Sequence, residues 1–491
     1  MARETRKPEL LAAVGLVLLY LAVFSGHSYS IDGVLIYRQS LAIVADHSLR
    51  FPTPIYWFDV YTTSKYGIGL SLTYLPGVLV GWLLGLPVPA TSATALSSDM
   101  FYRDPVYAVG AAPVHVVVTA ATGYLIARLV RELGHGTTPA LFAMLAYGVA
   151  SPAIVYARGD FAQPLLGLCL VAGFLGALRY RRSGSAQALL VAAASICLAV
   201  LTRPVEGSLL VPALLVVIAP GWRMSLWRPA IYPAGIVLAS AYVLAVGLTL
   251  AVNWGRFGTP FQTGYSQISW GTPIWIGLPG VLVSPARGIL WQFPLIVLLP
   301  LGLWRLWHDK HRAVAVAAGY LIAALLLNTA LWIPWWGAFS WGSRLFVPAL
   351  PIAAALVPQG AAAISARVRA PLLAVLFVMG VVWAVPGSVT NLLAGYGGAY
   401  DGTGPSFALS GYPPIGAWAF LHHWRPVGAG DSSGVDIVWF RLARLTDNVS
   451  LLIPVFLLAG AALFVWLAFR HSPGSESDVR GGRPAAVPST N

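Results

Sequence analysis

The feature that most constrains this chain is a series of apolar runs, most of them about 17–25 residues long and nearly free of charge. Leu10 to Phe24 opens the series. Further runs lie at 106–130, 138–157, 161–180, 186–202, 205–220, 229–252, 288–307, 313–333, 345–358, 370–388 and 449–469. Lipid offers the backbone no hydrogen-bond partners, so runs of this length and number are accommodated as membrane-spanning helices. The chain is 58% hydrophobic and 10% charged, with a mean hydropathy of +0.74. A soluble protein of this size would carry about 25% charge. The expected fold class is an all-α polytopic integral membrane protein with about 12 spans, within roughly 11–13.

Charge sets the expected orientation. The basic start, MARETRKPE, precedes the first run and no A-x-A-like cleavage site follows it, which reads as a retained signal anchor with a cytoplasmic N-terminus. Arg128/Arg131, Arg179/Arg181/Arg182, Arg223/Arg228, Arg305/Lys310/Arg312 and Arg367/Arg369 then fall on that same side, as the positive-inside rule requires. Ile68 to Leu86 is apolar enough to cross, but a crossing there would turn every later cluster outward. It is therefore expected as a re-entrant or surface-lying helix kinked at Pro76-Gly77. The net charge of +13 is scattered between spans and does not suggest nucleic acid. Cys169 and Cys197 both sit in apolar runs, which excludes a disulfide framework.

Function is expected on the opposite, extracytoplasmic side, where the long Gly-, Pro- and aromatic-rich segments gather. The domain reading is a transmembrane module over 1–388 with a first outer segment at 26–104. An outer loop at 389–448, a last span at 449–470 and a disordered cytoplasmic tail at 471–491 complete it. Asp32 lies just beyond the first span. It reads either as a helix cap for GVLIYRQSLAIV or as a general base. Lys65, one of three lysines in the chain, precedes Tyr66-Gly67 and reads as a snorkelling cation or a point charge on a phosphate. Asp160 either complements a helix N-terminus or adds a second carboxylate, to orient an acceptor or hold a divalent ion, Mg or Mn. Arg203 with Glu206 reads as a structural ion pair.

Arg287 and Arg344 stand at the mouths of two spans, where an Arg fork fits phosphate oxygens. Beside Arg344, Trp335, Trp336 and Trp341 are packed more densely than an aromatic belt requires, and with Tyr66 they are candidates to line a substrate groove. The scattered histidines make no one-face pair for zinc.

Three features together resemble the GT-C glycosyltransferases: an Asp after the first span, a Lys followed by Tyr-Gly before a buried helix, and an Asp at a later outer helix start. The bacterial branch related to protein O-mannosyltransferases and lipid A aminoarabinose transferases is the most similar. NWGRFGTPFQTGY, LVSPARGILWQFP and WWGAFSWGSRLFVPALP resemble segments of relatives in that branch, so the likeness covers about residues 9–360. It implies a GT-C-like bundle in a bacterial inner membrane. The implied reaction transfers a sugar from a polyprenyl-phosphate donor to a glycan, lipid or protein acceptor on the extracytoplasmic face. Asp32 and Asp160 would then take the catalytic positions, with Lys65, Arg344 and Arg287 on the donor phosphate. Mannosyltransferases of this class carry two adjacent acids in the first loop, whereas Gly33 follows Asp32 here, which weakens a metal role. A lipid or sugar transporter and a non-catalytic envelope-assembly subunit are the alternatives.

Overall fold

The computed structural model of the chain describes residues 7–56, 60–87, 104–219, 232–265, 270–285, 287–309, 311–337, 340–390 and 435–472. Most of the expected 389–448 loop, nearly all of the 471–491 tail and the 88–103 end of the first outer segment lie outside the described residues.

Helix α1 (Lys7–Ala22) is followed by α2 (Ile31–Ala45), a small antiparallel hairpin of β1 (Ile55–Tyr56) and β2 (Val60–Tyr61), and α3 (Ile68–Leu83). Then come α4 (Ala112–Glu132), α5 (Thr137–Val149), α6 (Gln163–Ser183) and α7 (Ala186–Thr202). A turn at Pro204–Ser208 leads to α8 (Leu210–Ile218), α9 (Tyr232–Phe257), α10 (Ile274–Val283), α11 (Leu299–His308) and α12 (Arg312–Leu331). The last helices are α13 (Leu350–Ala362), α14 (Ala366–Val389) and α15 (Leu452–Arg470). Among the described residues, seven helices are long and apolar enough to cross a membrane, and six further apolar helices are shorter. The chain is mostly helical, as expected, with the one short hairpin beside the helices among the described residues.

Burial separates the centre of the bundle from its rim. The Arg344–Ala362 span is 94% buried and α6 is 78% buried, whereas the spans Pro233–Phe257 and Val449–Arg470 are only 11% buried. Helices that stay apolar while exposed, with Val243 and Phe456 outward, face lipid rather than water. Small residues set the spacing. A Cβ on Gly15 would lie 3.2 Å from the Ala461 carbonyl, so α1 and α15 pack backbone to backbone.

Helix α3 runs on through Pro76 without ending there. Instead of a break, Pro76-Gly77 supplies a close approach: Gly77 backs onto Gly110 in a π-helical turn at Tyr107–Ala111, and neither position has room for a side chain. The N-terminus of α3 is the end that matters for function, because Lys65, Tyr66 and Gly67 lead into it.

Candidate functional site

The site is built around the first turn of α2. Ser30 is the helix cap, in extended backbone, and its Oγ accepts from Gly33 N at 3.0 Å. With that role filled by Ser30, the Asp32 carboxylate in the first turn is free to face other groups. Tyr66 Oη donates to Asp32 Oδ1 at 2.6 Å, and Arg344 Nη1 to Oδ2 at 2.9 Å. The pair is partly open, Asp32 being 19% and Arg344 14% exposed at the side chain. Burial, and then the Asp32 carboxylate, push the Tyr66 phenol well above its ordinary range, so Tyr66 keeps its proton and donates it to this bond. The Arg344 guanidinium also lies 4.7 Å over the Phe161 ring.

Asp160 lies beneath this turn and has no exposed surface. Its two oxygens accept from Ser28 Oγ at 2.6 Å, Tyr29 N at 2.8 Å, Ser30 N at 2.9 Å and Ser30 Oγ at 3.0 Å. Burial still pushes its carboxyl up, because every one of these donors is neutral. Placed there, Asp160 fastens the cap of α2 and does not face a reactant. The glycine where a second acid would follow Asp32 now has a physical reason: a Cβ at Gly33 would run into the Asp160 carboxylate. Gly33→Ala is expected to destabilise the protein by about 1–3 kcal/mol through overpacking. Thermal unfolding in detergent measures this, and an unchanged midpoint would contradict the packing described.

Lys65 projects into a cage of phenols. Its Nζ lies 5.2 Å from the Tyr61 ring centre, 5.7 Å from Tyr66 and 5.3 Å from Tyr265. Among the described residues no carboxylate pairs with it. Lys65 and Tyr66 form one wall of a cavity of about 450 Å³ that extends between α7, the Pro204–Ser208 turn and α9. Arg256, at the end of α9, lines the same cavity. It is 3% exposed and donates Nη1 to the Tyr66 carbonyl at 2.7 Å, while its Nε and Nη2 have no partner. These two nitrogens are sealed as well as unpaired, which carries a large desolvation cost. The chain sequence pointed to this residue only through the NWGRFGTPFQTGY stretch, with nothing to single out Arg256 within it.

Two expected positions turn out to support the site from behind. Arg287 is 3% exposed and its guanidinium donates to the Ser340 and Gly342 carbonyls, the latter at 3.2 Å. Its own carbonyl accepts from Ser343 Oγ at 2.6 Å. Arg287 thus braces the loop that carries Arg344, and is not open to a phosphate. Trp335 and Trp341 are both 1% exposed. Trp335 fills the space left by Gly280, Trp341 the space left by Gly387, so these rings are core and not groove. Trp336 is partly buried and packs edge-on against Trp335.

A second buried cluster was not expected. Asp436, with no exposed surface, accepts from His27 Nε2 at 2.9 Å, Tyr29 Oη at 2.6 Å, Arg158 Nη2 at 3.1 Å and Arg441 Nη1 at 2.6 Å. Burial alone would raise its pKa, but His27, Arg158 and Arg441 outweigh it and hold the carboxyl far below the usual range. Asp160 and Asp436 are equally buried and shift in opposite directions, because only Asp436 faces cations.

A divalent ion does not fit these residues. Asp32 is held by a phenol and a guanidinium, Asp160 by neutral donors, and no three His, Cys, Asp or Glu converge among the described residues.

No protein-family model and no curated protein matches the chain. Solved structures do. ArnT from Cupriavidus metallidurans bound to undecaprenyl phosphate is similar with a TM-score of 0.53 at 16% identity, over 94% of this chain and 76% of that one. The same protein in the apo state gives 0.51 at 15%, over 94% and 75%. The oligosaccharyltransferase of Archaeoglobus fulgidus gives 0.47 at 12%, over 79% and 56%. The fold is that of the GT-C glycosyltransferases.

Proposed function

We propose that the protein transfers a sugar from a polyprenyl-phosphate donor to an acceptor hydroxyl at the extracytoplasmic face of the membrane. The observation that carries this reading is the cavity wall shared by Lys65 and Arg256, two cations that no carboxylate among the described residues pairs with. Such a pair suits a phosphate. The ArnT structure of the same fold holds undecaprenyl phosphate.

In the reaction proposed, the acceptor oxygen attacks the anomeric carbon as the bond from that carbon to the phosphate oxygen breaks. The acceptor proton goes to Asp32, and the bonding pair leaves with the polyprenyl phosphate. The leaving group gains one negative charge as it departs, so Lys65 and Arg256 bind the transition state more strongly than the donor. Arg344 and Tyr66 orient Asp32. Asp160 and Arg287 hold the two backbone segments that present Asp32 and Arg344. No step requires a nucleotide or a metal.

Lys65→Met and Arg256→Met are each expected to weaken binding of undecaprenyl phosphate by tenfold or more, since a charge-assisted hydrogen bond contributes about 1.5–3 kcal/mol. Thermophoresis of the full chain in nanodiscs reads this directly. Affinities unchanged in both variants would place the phosphate elsewhere and remove the main support for the reading.

A further inference from the structure

The far wall of the cavity carries polar groups that phosphate binding leaves unassigned. Arg203 Nε and Nη2 both reach the same oxygen of Glu206, Oε1, at 2.7 and 2.6 Å. Among the described residues nothing donates to Glu206 Oε2, and it is not among the sealed unsatisfied atoms, so it keeps access to the cavity that Glu206 lines. Two amides are half-used in the same way. Asn253 spends Nδ2 on the Pro260 carbonyl at 3.3 Å and keeps Oδ1. Asn328 spends Oδ1 on Trp270 Nε1 at 3.1 Å and keeps Nδ2. Trp270, half exposed, stands edge-on to Trp332 at 5.9 Å and offers a ring face at the same wall.

These groups lie near the reacting centre. The Tyr265 phenol, part of the Lys65 cage, lines the same cavity as Arg203 and Glu206. The charged groups on the cavity wall, among the described residues, are Lys65, Arg203, Arg256 and Glu206. Three cations therefore surround one acid whose charge Arg203 already neutralises. An ammonium brought in on a sugar would meet a wall whose cations outnumber its one acid, and that acid is already paired with Arg203. A hydroxyl would meet one open carboxylate oxygen, one amide oxygen and one amide N–H, each needing a partner.

We infer that this wall reads the sugar of the donor, and that it selects a neutral polyhydroxylated ring over an amino sugar. Arg203 is the specificity-determining residue, because it neutralises the one acid among the lining residues of this wall. The inference rests on the polyprenyl-phosphate reading and deepens it.

The test is competition against labelled undecaprenyl phosphate, using the full chain in nanodiscs. The competitors are bare undecaprenyl phosphate, the same lipid phosphate carrying a neutral hexose, and one carrying the matching 2-amino-2-deoxyhexose. The neutral conjugate is expected to compete about tenfold better than the amino conjugate, the scale of one hydrogen bond to a charged group. Arg203→Met should bring the amino conjugate to parity or better, by freeing Glu206. Glu206→Gln, which keeps the shape and an acceptor for Arg203, should weaken the neutral conjugate while bare undecaprenyl phosphate binds as before. An amino conjugate that binds wild type as well as the neutral one overturns the inference while leaving the phosphate site standing. So does an Arg203→Met variant with unchanged preference. Failure of bare undecaprenyl phosphate to bind would overturn the parent reading, and this one with it.

Discussion

Replacing Asp32 with Asn is expected to lower kcat for sugar transfer by roughly 10²–10⁴-fold, the usual worth of a positioned general base. The same variant should bind undecaprenyl phosphate within about threefold of wild type, since Asp32 does not line the cavity that Lys65 and Arg256 share. Structure should survive, because an Asn oxygen can still accept from either Tyr66 Oη or Arg344 Nη1. What is lost is a group able to take the acceptor proton. The acid limb of the kcat/KM profile against pH should therefore flatten in the variant, and Asp32→Glu should recover part of the rate. A purely structural Asp32 would leave the pH profile unchanged. An Asn variant within threefold of wild type in kcat would remove Asp32 from the chemistry altogether.

The bonds around Asp32 explain why a carboxylate rather than a histidine can serve. Arg344 and Tyr66 fix its direction, and both donate to the ionised form. Arg344 in turn is fixed by the Phe161 ring and by a loop that Arg287 braces from behind. A base held this way costs little reorganisation when the acceptor arrives.

How much of this was legible in the sequence differs from residue to residue. Asp32 and Lys65 stood out because acids and lysines are scarce and both fall in one short segment after the first span. Their partners were legible singly but not as pairs. Asp32 and Arg344 are 312 positions apart, and no local period links them. The Trp335–Trp341 cluster was read as groove because aromatic density near a membrane face suggests one. The holes that receive these rings, at Gly280 and Gly387, lie on other helices. The apolar run at 288–307, read as one span, is three pieces: Ile289–Gln292, a 3-10 turn at Pro294–Leu298, and α11. Pro294 explains the break, since it pushes Phe293 out of the helical region to φ −142° and ψ 71°. Asp436 was invisible for a plainer reason: it lies in the 389–448 loop, beyond the residues that carry the resemblance, and its partner His27 is 409 positions away.

Asp436 carries the largest expected effect on stability. After the loop, residues 435–441 stitch together the ends of α14 and α1. Val435 bridges Thr390, Asp436 N donates to the Val389 carbonyl at 2.8 Å, and Val438 N to the Phe24 carbonyl at 2.8 Å. Inside that seam, the Asp436 carboxylate is the counter-charge for Arg158, which has no exposed side-chain surface, and for Arg441. Asp436→Ala leaves Arg158 buried without an anion, and removing one partner of such a pair costs about 3–5 kcal/mol. Thermal or denaturant unfolding should show that loss. Asp436→Asn should lose less, because its amide oxygen still accepts from Tyr29 or Arg441. Acid stability follows with a definite sign. The folded carboxyl is depressed, so its contribution is present above the unfolded pKa of about 3.9 and fades as pH falls below it. The acid-side slope of wild-type stability should therefore be shallower in Asp436→Asn. Because His27 and Tyr29 flank the Ser30 cap that sets Asp32, the Ala variant should also lose transfer activity at temperatures where it remains folded. Full activity and an unchanged unfolding midpoint in Asp436→Ala would show that the seam neither holds the bundle nor aims the base.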